Sequence, residues 1–189
     1  MKIAKIIPMY KSEDRYSINN YIPISILPFF SKNFERLMYN RLLDYVNANN
    51  IPYPNQFGFR EKHSTYMALL KLIDNISEEI DNKNFFIGVF IDLSKAFDTI
   101  NHDILIKKWN SYGIRGIALE WLKNYLTNRL QYVSINCTYS SFLPITCGVP
   151  QGSILGPLPF ILYINDIVST SNLAKFILFA ADTNLFFKD

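Results

Sequence analysis

Phe85-Phe86-Ile87-Gly88-Val89-Phe90-Ile91-Asp92-Leu93-Ser94-Lys95-Ala96-Phe97-Asp98-Thr99 is the stretch that decides how this chain reads. Its first seven residues are apolar, rich in β-branched and aromatic side chains, and show no helical stripe. Such a run predicts a strand buried on both faces. The run ends on a carboxylate, Asp92, and a second, Asp98, follows six residues later. A strand that delivers an acid at its end can place a metal ligand in a cleft, or simply leave the core through a polar residue.

Outward from that strand, the pattern alternates between helices and short strands. Towards the N-terminus, residues 2–9 predict an edge strand stopped by Pro8, and residues 21–28 an irregular or edge segment interrupted by Pro23 and Pro28. Residues 31–49 predict a helix with Phe34, Leu37, Met38, Leu42, Tyr45 and Val46 on one inward stripe. A second helix runs from the cap candidates His63, Ser64 and Thr65 to about Ile80, with Leu69, Leu72, Ile73, Ile76 and Ile80 inward. Towards the C-terminus, residues 102–112 predict a helix closed by Gly113. A fourth helix over 117–127 buries Ala118, Trp121, Leu122, Tyr125 and Leu126. Residues 131–136 and 142–146 predict a hairpin, and Ser153 is expected to cap an apolar helix reaching Asp166. In that helix Pro157 and Pro159 sit awkwardly. Residues 175–179 and 183–187 predict two strands around a turn that carries Asp182. The fold class expected is α+β, helices packed on a mainly antiparallel sheet.

Composition bounds the reading. With 189 residues, 49% hydrophobic and 15% aromatic, the chain can bury a sizeable core and is not expected to be disordered. A net charge of +3 is compatible with a nucleic-acid groove without demanding one. Cys137 and Cys147 fit no metal spacing and read as free thiols of an intracellular protein, although a hairpin would also bring them near each other. No apolar run reaches about 18 residues, so no membrane helix is expected. The N-terminus lacks the apolar core of a signal peptide.

Three separated pieces can be tied together: Asp92 at a strand end, the loop Gly148-Val149-Pro150-Gln151-Gly152-Ser153, and Asp182 between two apolar strands. If the strands are neighbours, Asp92 and Asp182 converge on one sheet edge. Carboxylates held so suit a pair of Mg²⁺ ions, which take oxygen ligands and complete their shells with water and phosphate. That arrangement supports phosphoryl transfer with little covalent work by the protein.

These pieces resemble a known family. FIDLSKAFD at 90–98, GVPQGSILGP at 148–157 and FAADT at 179–183, in that order, resemble the core motifs of reverse transcriptases of non-LTR (LINE- or jockey-like) retrotransposons. YIPIS at 21–25, QFGFR at 56–60 and HST at 63–65 are similar to the motifs that precede them. The resemblance covers almost the whole chain. It implies a right-hand polymerase fold: fingers over about 1–84, palm over about 85–189 with fingers-like inserts, an antiparallel palm sheet backed by helices, and the thumb and endonuclease domain missing. The activity implied is RNA-directed DNA polymerisation from dNTPs on an RNA template and a DNA primer, inside the cell, in nucleus or cytoplasm, with no membrane partner. It implies two Mg²⁺ ions, with Mn²⁺ as a substitute, on Asp92, Asp182 and the Leu93 carbonyl. Arg60, Phe97, Gln151 and Gly152 take the nucleotide-binding roles: Arg60 at the triphosphate, Phe97 as a gate against a 2′-OH, and Gln151 and Gly152 against nucleotide and template.

The chain departs from the family pattern at Ala181, where an aspartate that ligates the metals is usual, at Ile22, where arginine is usual, and at Pro159. Loss of the ligand predicts a rate lower by roughly a hundred- to ten-thousand-fold. The departures and the truncation suggest a decayed or partial element copy, with a sequencing or gene-model error at position 181 equally open. The alternative is a non-catalytic nucleic-acid-binding remnant of the same fold. A third reading is an unrelated structural α+β domain.

Overall fold

In a computed structural model that describes residues 2–188, apart from the side chains of Phe86 and Lys188, the elements follow one another as β1 (Ile3–Tyr10), β2 (Tyr21–Ile26), α1 (Phe29–Ala48), α2 (Thr65–Asp81), β3 (Phe86–Asp92), α3 (His102–Ser111), α4 (Gly116–Leu126), β4 (Arg129–Ile135), β5 (Thr138–Tyr139), β6 (Leu143–Ile145), α5 (Pro157–Ile164), β7 (Ala174–Phe179) and β8 (Asp182–Lys188). Short 3-10 segments occupy Ile18–Asn20 and Asn165–Thr170. The mixed α+β class is as expected. The chain divides into two units, one built from residues up to Asp44 with Phe97–Pro159, the other from Tyr45–Ala96 with the residues from Phe160 onward.

The first unit holds a sheet in the order β2-β1-β4-β5, with β6 also paired to β4. All its pairings are antiparallel except β1 with β4. The predicted hairpin is present, with β5 as an additional short strand. β1 is not an edge strand stopped at Pro8: it lies between β2 and β4 and runs on to Tyr10. Its pairing with β4 covers only Ile3 to Ile6. Pro8 comes after that pairing ends, where a missing N–H disturbs no ladder on that side. β2 is the edge strand. Asn101 caps α3 by accepting from the Ile104 amide, and Gly113 follows with φ +85°. Leu105 and Trp109 of α3 and Leu119, Leu122 and Leu126 of α4 are buried.

The second unit holds the sheet β3-β8-β7, antiparallel throughout. Ser64 caps α2 by accepting from the Met67 amide. Phe57, Ile177 and Phe186 form a buried cluster, with Ala68, Leu72 and Phe179 packed against it. Cys137 and Cys147 are free and exposed.

Several expected faces differ. β3 is not buried on both faces: among the described residues it pairs with β8 alone, and Ile87 is 67% and Phe90 65% exposed. Apolar composition reports a strand that can be covered, and here the described residues cover little of it. On α1, Phe34, Leu37 and Tyr45 are exposed, and the inward line is Ser31, Glu35, Leu42 and Val46. On α2, Leu69, Ile73 and Ile80 are exposed, while Asn75 and Glu79 are buried. Glu79 is satisfied by Lys175 of β7 and by Asn84. On α4, Leu119 is buried where Ala118 and Trp121 are half-buried. Ser153 is not the cap of α5. Its hydroxyl accepts from the Gly156 amide and shapes the turn that precedes the helix. α5 begins at Pro157, so Pro157 and Pro159 both fall in the first turn, where amides have no intrahelical acceptor and proline costs little.

Candidate active site

Asp92 is the last residue of β3 and Asp182 the first of β8. Asp182 is therefore not in the turn itself; Ala180 and Ala181 form that turn. The register sets Asp92 directly against Asp182, and Phe179 against Asp182 on the other side. Directly opposed residues of an antiparallel pair stand about 4.5–5.5 Å apart at Cβ, and like charges so placed repel. Both carboxylates are exposed and line a cavity of about 390 Å³ in the second unit, together with Thr65, Leu72, Phe90 and Asn184.

Two opposed carboxylates form an oxygen donor set that suits a hard divalent cation, which would also relieve their repulsion. The set fits one such ion better than two. Among the described residues no three His, Cys, Asp or Glu side chains come together to hold a metal. The next residue in the turn, Ala181, brings no oxygen from its side chain. Leu93 follows Asp92 and is half-buried.

Arg60 lies in the same unit, half-buried, with Nη1 donating to the carbonyls of Tyr53 (3.0 Å) and Gln56 (3.3 Å). Burial lowers its pKa from the usual arginine range. The segment that carries it is tied to β7: the Phe57 amide donates to the Leu178 carbonyl (2.8 Å) and the Leu178 amide to Asn55 (2.9 Å), in parallel register.

Phe97, Gln151 and Gly152 belong to the first unit, so the three expected pieces are shared between units. Phe97 is half-buried and its carbonyl accepts from the Val149 amide (2.9 Å). Gln151 donates its side-chain amide to both carboxylate oxygens of Asp98, each at 3.0 Å. Asp98 thus has a structural partner. The Gln151 carbonyl accepts from the Ser25 amide at 2.7 Å. Gly152 has φ +104°, and a Cβ there would stand 2.8 Å from the Ser25 carbonyl oxygen, so only glycine fits.

Two residues were missed by sequence reasoning. Glu35 is 2% exposed; its Oε2 accepts from the amides of Ile154 (2.9 Å) and Leu155 (3.4 Å), directly after the Gln151-Gly152 loop. Burial raises its pKa above the ordinary glutamate range, opposed by those amides and by Arg129. The signal available was a charged residue on the inward line of α1. The other is Gln56, whose side-chain oxygen accepts from the amides of Gly58 (2.9 Å) and Ala180 (3.1 Å). Its signal was a glutamine two residues ahead of a glycine in QFGFR.

The family model described as "Reverse transcriptase (RNA-dependent DNA polymerase)" matches residues 11–189. The chain is 38% identical over 173 residues to the "Probable RNA-directed DNA polymerase from transposon BS" of Drosophila melanogaster. It is 35% identical over 167 residues to the "RNA-directed DNA polymerase from mobile element jockey" of the same species. Each match covers 88% of this chain, which spans only 18% of either relative. Among solved structures, a Candida tropicalis telomerase in complex with a fragment of telomeric RNA has the same fold over 100% of this chain and 36% of its own, with a TM-score of 0.68 at 11% identity. A truncated apo telomerase from that species covers 98% of this chain and 44% of its own, with a TM-score of 0.65 at 15% identity. No helix of the described residues is long and apolar enough to cross a membrane. The chain belongs to the reverse transcriptase family, in the form carried by non-LTR retrotransposons.

Proposed function

We propose that this chain supplies the fingers and most of the palm of an RNA-directed DNA polymerase, which extends a DNA primer on an RNA template with dNTPs. The single observation that carries the reading is the opposed pair Asp92 and Asp182 at one edge of β3 and β8, within a chain of this family. Asp92, Asp182 and the Leu93 carbonyl would hold Mg²⁺ or Mn²⁺. When bound, such an ion would supply Lewis-acid charge stabilisation at the transferring phosphate. Arg60 offers its remaining guanidinium edge to triphosphate oxygens, for which a planar donor fork is suited. Phe97 excludes a 2′-OH, and Gln151 and Gly152 bear on nucleotide and template. The protein's share is positioning and charge stabilisation.

Ala181 supports a second reading, a nucleic-acid-binding form with little or no chemistry. The test is Mg²⁺-dependent dNTP incorporation on a primed RNA by the chain as it stands and by Ala181→Asp. Incorporation by Ala181→Asp that vanishes on Asp92→Ala supports the polymerase. Salt-dependent duplex binding without incorporation in either protein leaves the binding form.

A further inference from the structure

Ala180 is held in the left-handed region, φ +54°, which costs an alanine about 1–3 kcal/mol. In a two-residue hairpin the first turn residue also has no ladder partner for its amide. Both needs are met from outside the hairpin, within the same unit. The Gln56 side chain, 1% exposed, directs its oxygen at the Ala180 amide and at the Gly58 amide. Its nitrogen has no partner. The acceptor is thus the part of the side chain in use.

Gly58 completes the contact. A Cβ there would stand 2.1 Å from the Ala180 nitrogen and 2.8 Å from its Cα, so the segment packs on the turn only because residue 58 lacks a side chain. The paired backbone of Asn55, Phe57 and Leu178 anchors the segment just before the turn. Two residues after Ala180 comes Asp182, whose carboxylate must meet Asp92.

We infer that Gln56 and Gly58 clamp the Ala180-Ala181 turn and thereby position Asp182, with Gln56 as a positioning residue rather than a catalytic one. The geometry stands by itself; its consequence for nucleotide transfer rests on the polymerase reading. The clamp accounts for a glutamine and a glycine at this spacing, which phosphate contact by Arg60 does not require.

The test compares Gln56→Met, which keeps the length and loses the acceptor, with Gln56→Glu, which keeps an accepting oxygen and exchanges the idle amide donor for a second carboxyl oxygen. Amide hydrogen exchange is read on the 189-residue chain. Gln56→Met should speed exchange at Ala180 by about tenfold, the worth of one hydrogen bond, while Ile76 in α2 keeps its rate. Gln56→Glu should restore protection at Ala180. In the Ala181→Asp background, Gln56→Met should lower kcat with KM for dNTP unchanged, and Gln56→Glu should recover it. Unchanged exchange at Ala180 in Gln56→Met overturns the clamp, as does an equal loss of protection at Ile76. If Ala181→Asp is inactive in every version, the polymerase reading fails, and the exchange rates still decide the clamp.

Discussion

Asp92 and Asp182 stand opposite each other across the β3–β8 pairing, the last residue of one strand against the first of the next. This is the only part of the proposed metal set that the register of the sheet imposes by itself. Restoring a third carboxylate beside it with Ala181→Asp should raise Mg²⁺-dependent incorporation by roughly a hundred- to ten-thousand-fold. Mn²⁺ binding, followed by electron paramagnetic resonance, should tighten in the same variant and be lost with Asp92→Ala. Equal incorporation and equal Mn²⁺ affinity with and without the added acid would refute the impairment assigned to Ala181.

Glu35 gives a pH signature. Burial raises its folded pKa, so the folded state holds the proton more tightly than the unfolded chain. Its stabilising contribution is therefore full below the ordinary glutamate pKa of about 4.3 and is lost as pH rises through the higher folded value. Glu35→Gln keeps an oxygen for the Ile154 and Leu155 amides and removes this titration. Denaturant midpoints measured from acid to neutral pH should fall more steeply with rising pH in the parent chain than in the variant. Parallel profiles would rule the effect out.

Lys175 tests the tie between α2 and β7. Burial alone would lower its pKa, but hydrogen bonds and charge from Glu79 and Glu78 outweigh that and raise it. Lys175→Met removes the cation from a buried Glu79 carboxylate that keeps its Asn84 hydrogen bond, and because the ammonium is partly exposed and screened the cost in urea unfolding should be about 0.5–1 kcal/mol. The double variant with Glu79→Gln should recover part of that loss. A double variant no more stable than the single one would show that the pair is not coupled.

Gly152→Ala should be poorly tolerated, because both φ and the Ser25 carbonyl oppose a Cβ. The bond from the Ser25 amide to the Gln151 carbonyl would have to shift. A stability loss of about 1–3 kcal/mol is expected, with faster amide exchange at Ser25. A melting temperature within a degree or so of the parent would contradict the close approach.

Much of this protein was legible in the chain. Local pattern sufficed for the elements whose signals are local: the Ser64 cap, the Gly113 stop, the β4–β6 hairpin and the two last strands, although Asp182 belongs to the second of them and not to the turn. Motif order sufficed for the family, because several short stretches must all occur in sequence. Faces were less legible. Phe85 to Ile91 predicts burial by composition, but burial depends on what packs against a strand, and among the described residues Ile87 and Phe90 are left largely uncovered. The same limit moved Pro8 into an inner strand and turned Phe34 and Leu37 outward.

By itself, the sequence determined the class, the family and the missing acid at position 181, since each depends on residue identity in order. Tertiary structure alone decided that Asp92 opposes Asp182 in register, that Asp98 is held by Gln151, and that Glu35 and Gln56 serve backbone amides more than a hundred residues away. A hydrogen bond over that separation leaves no periodicity in the chain. It exists only once the strands have paired and carried the two residues together.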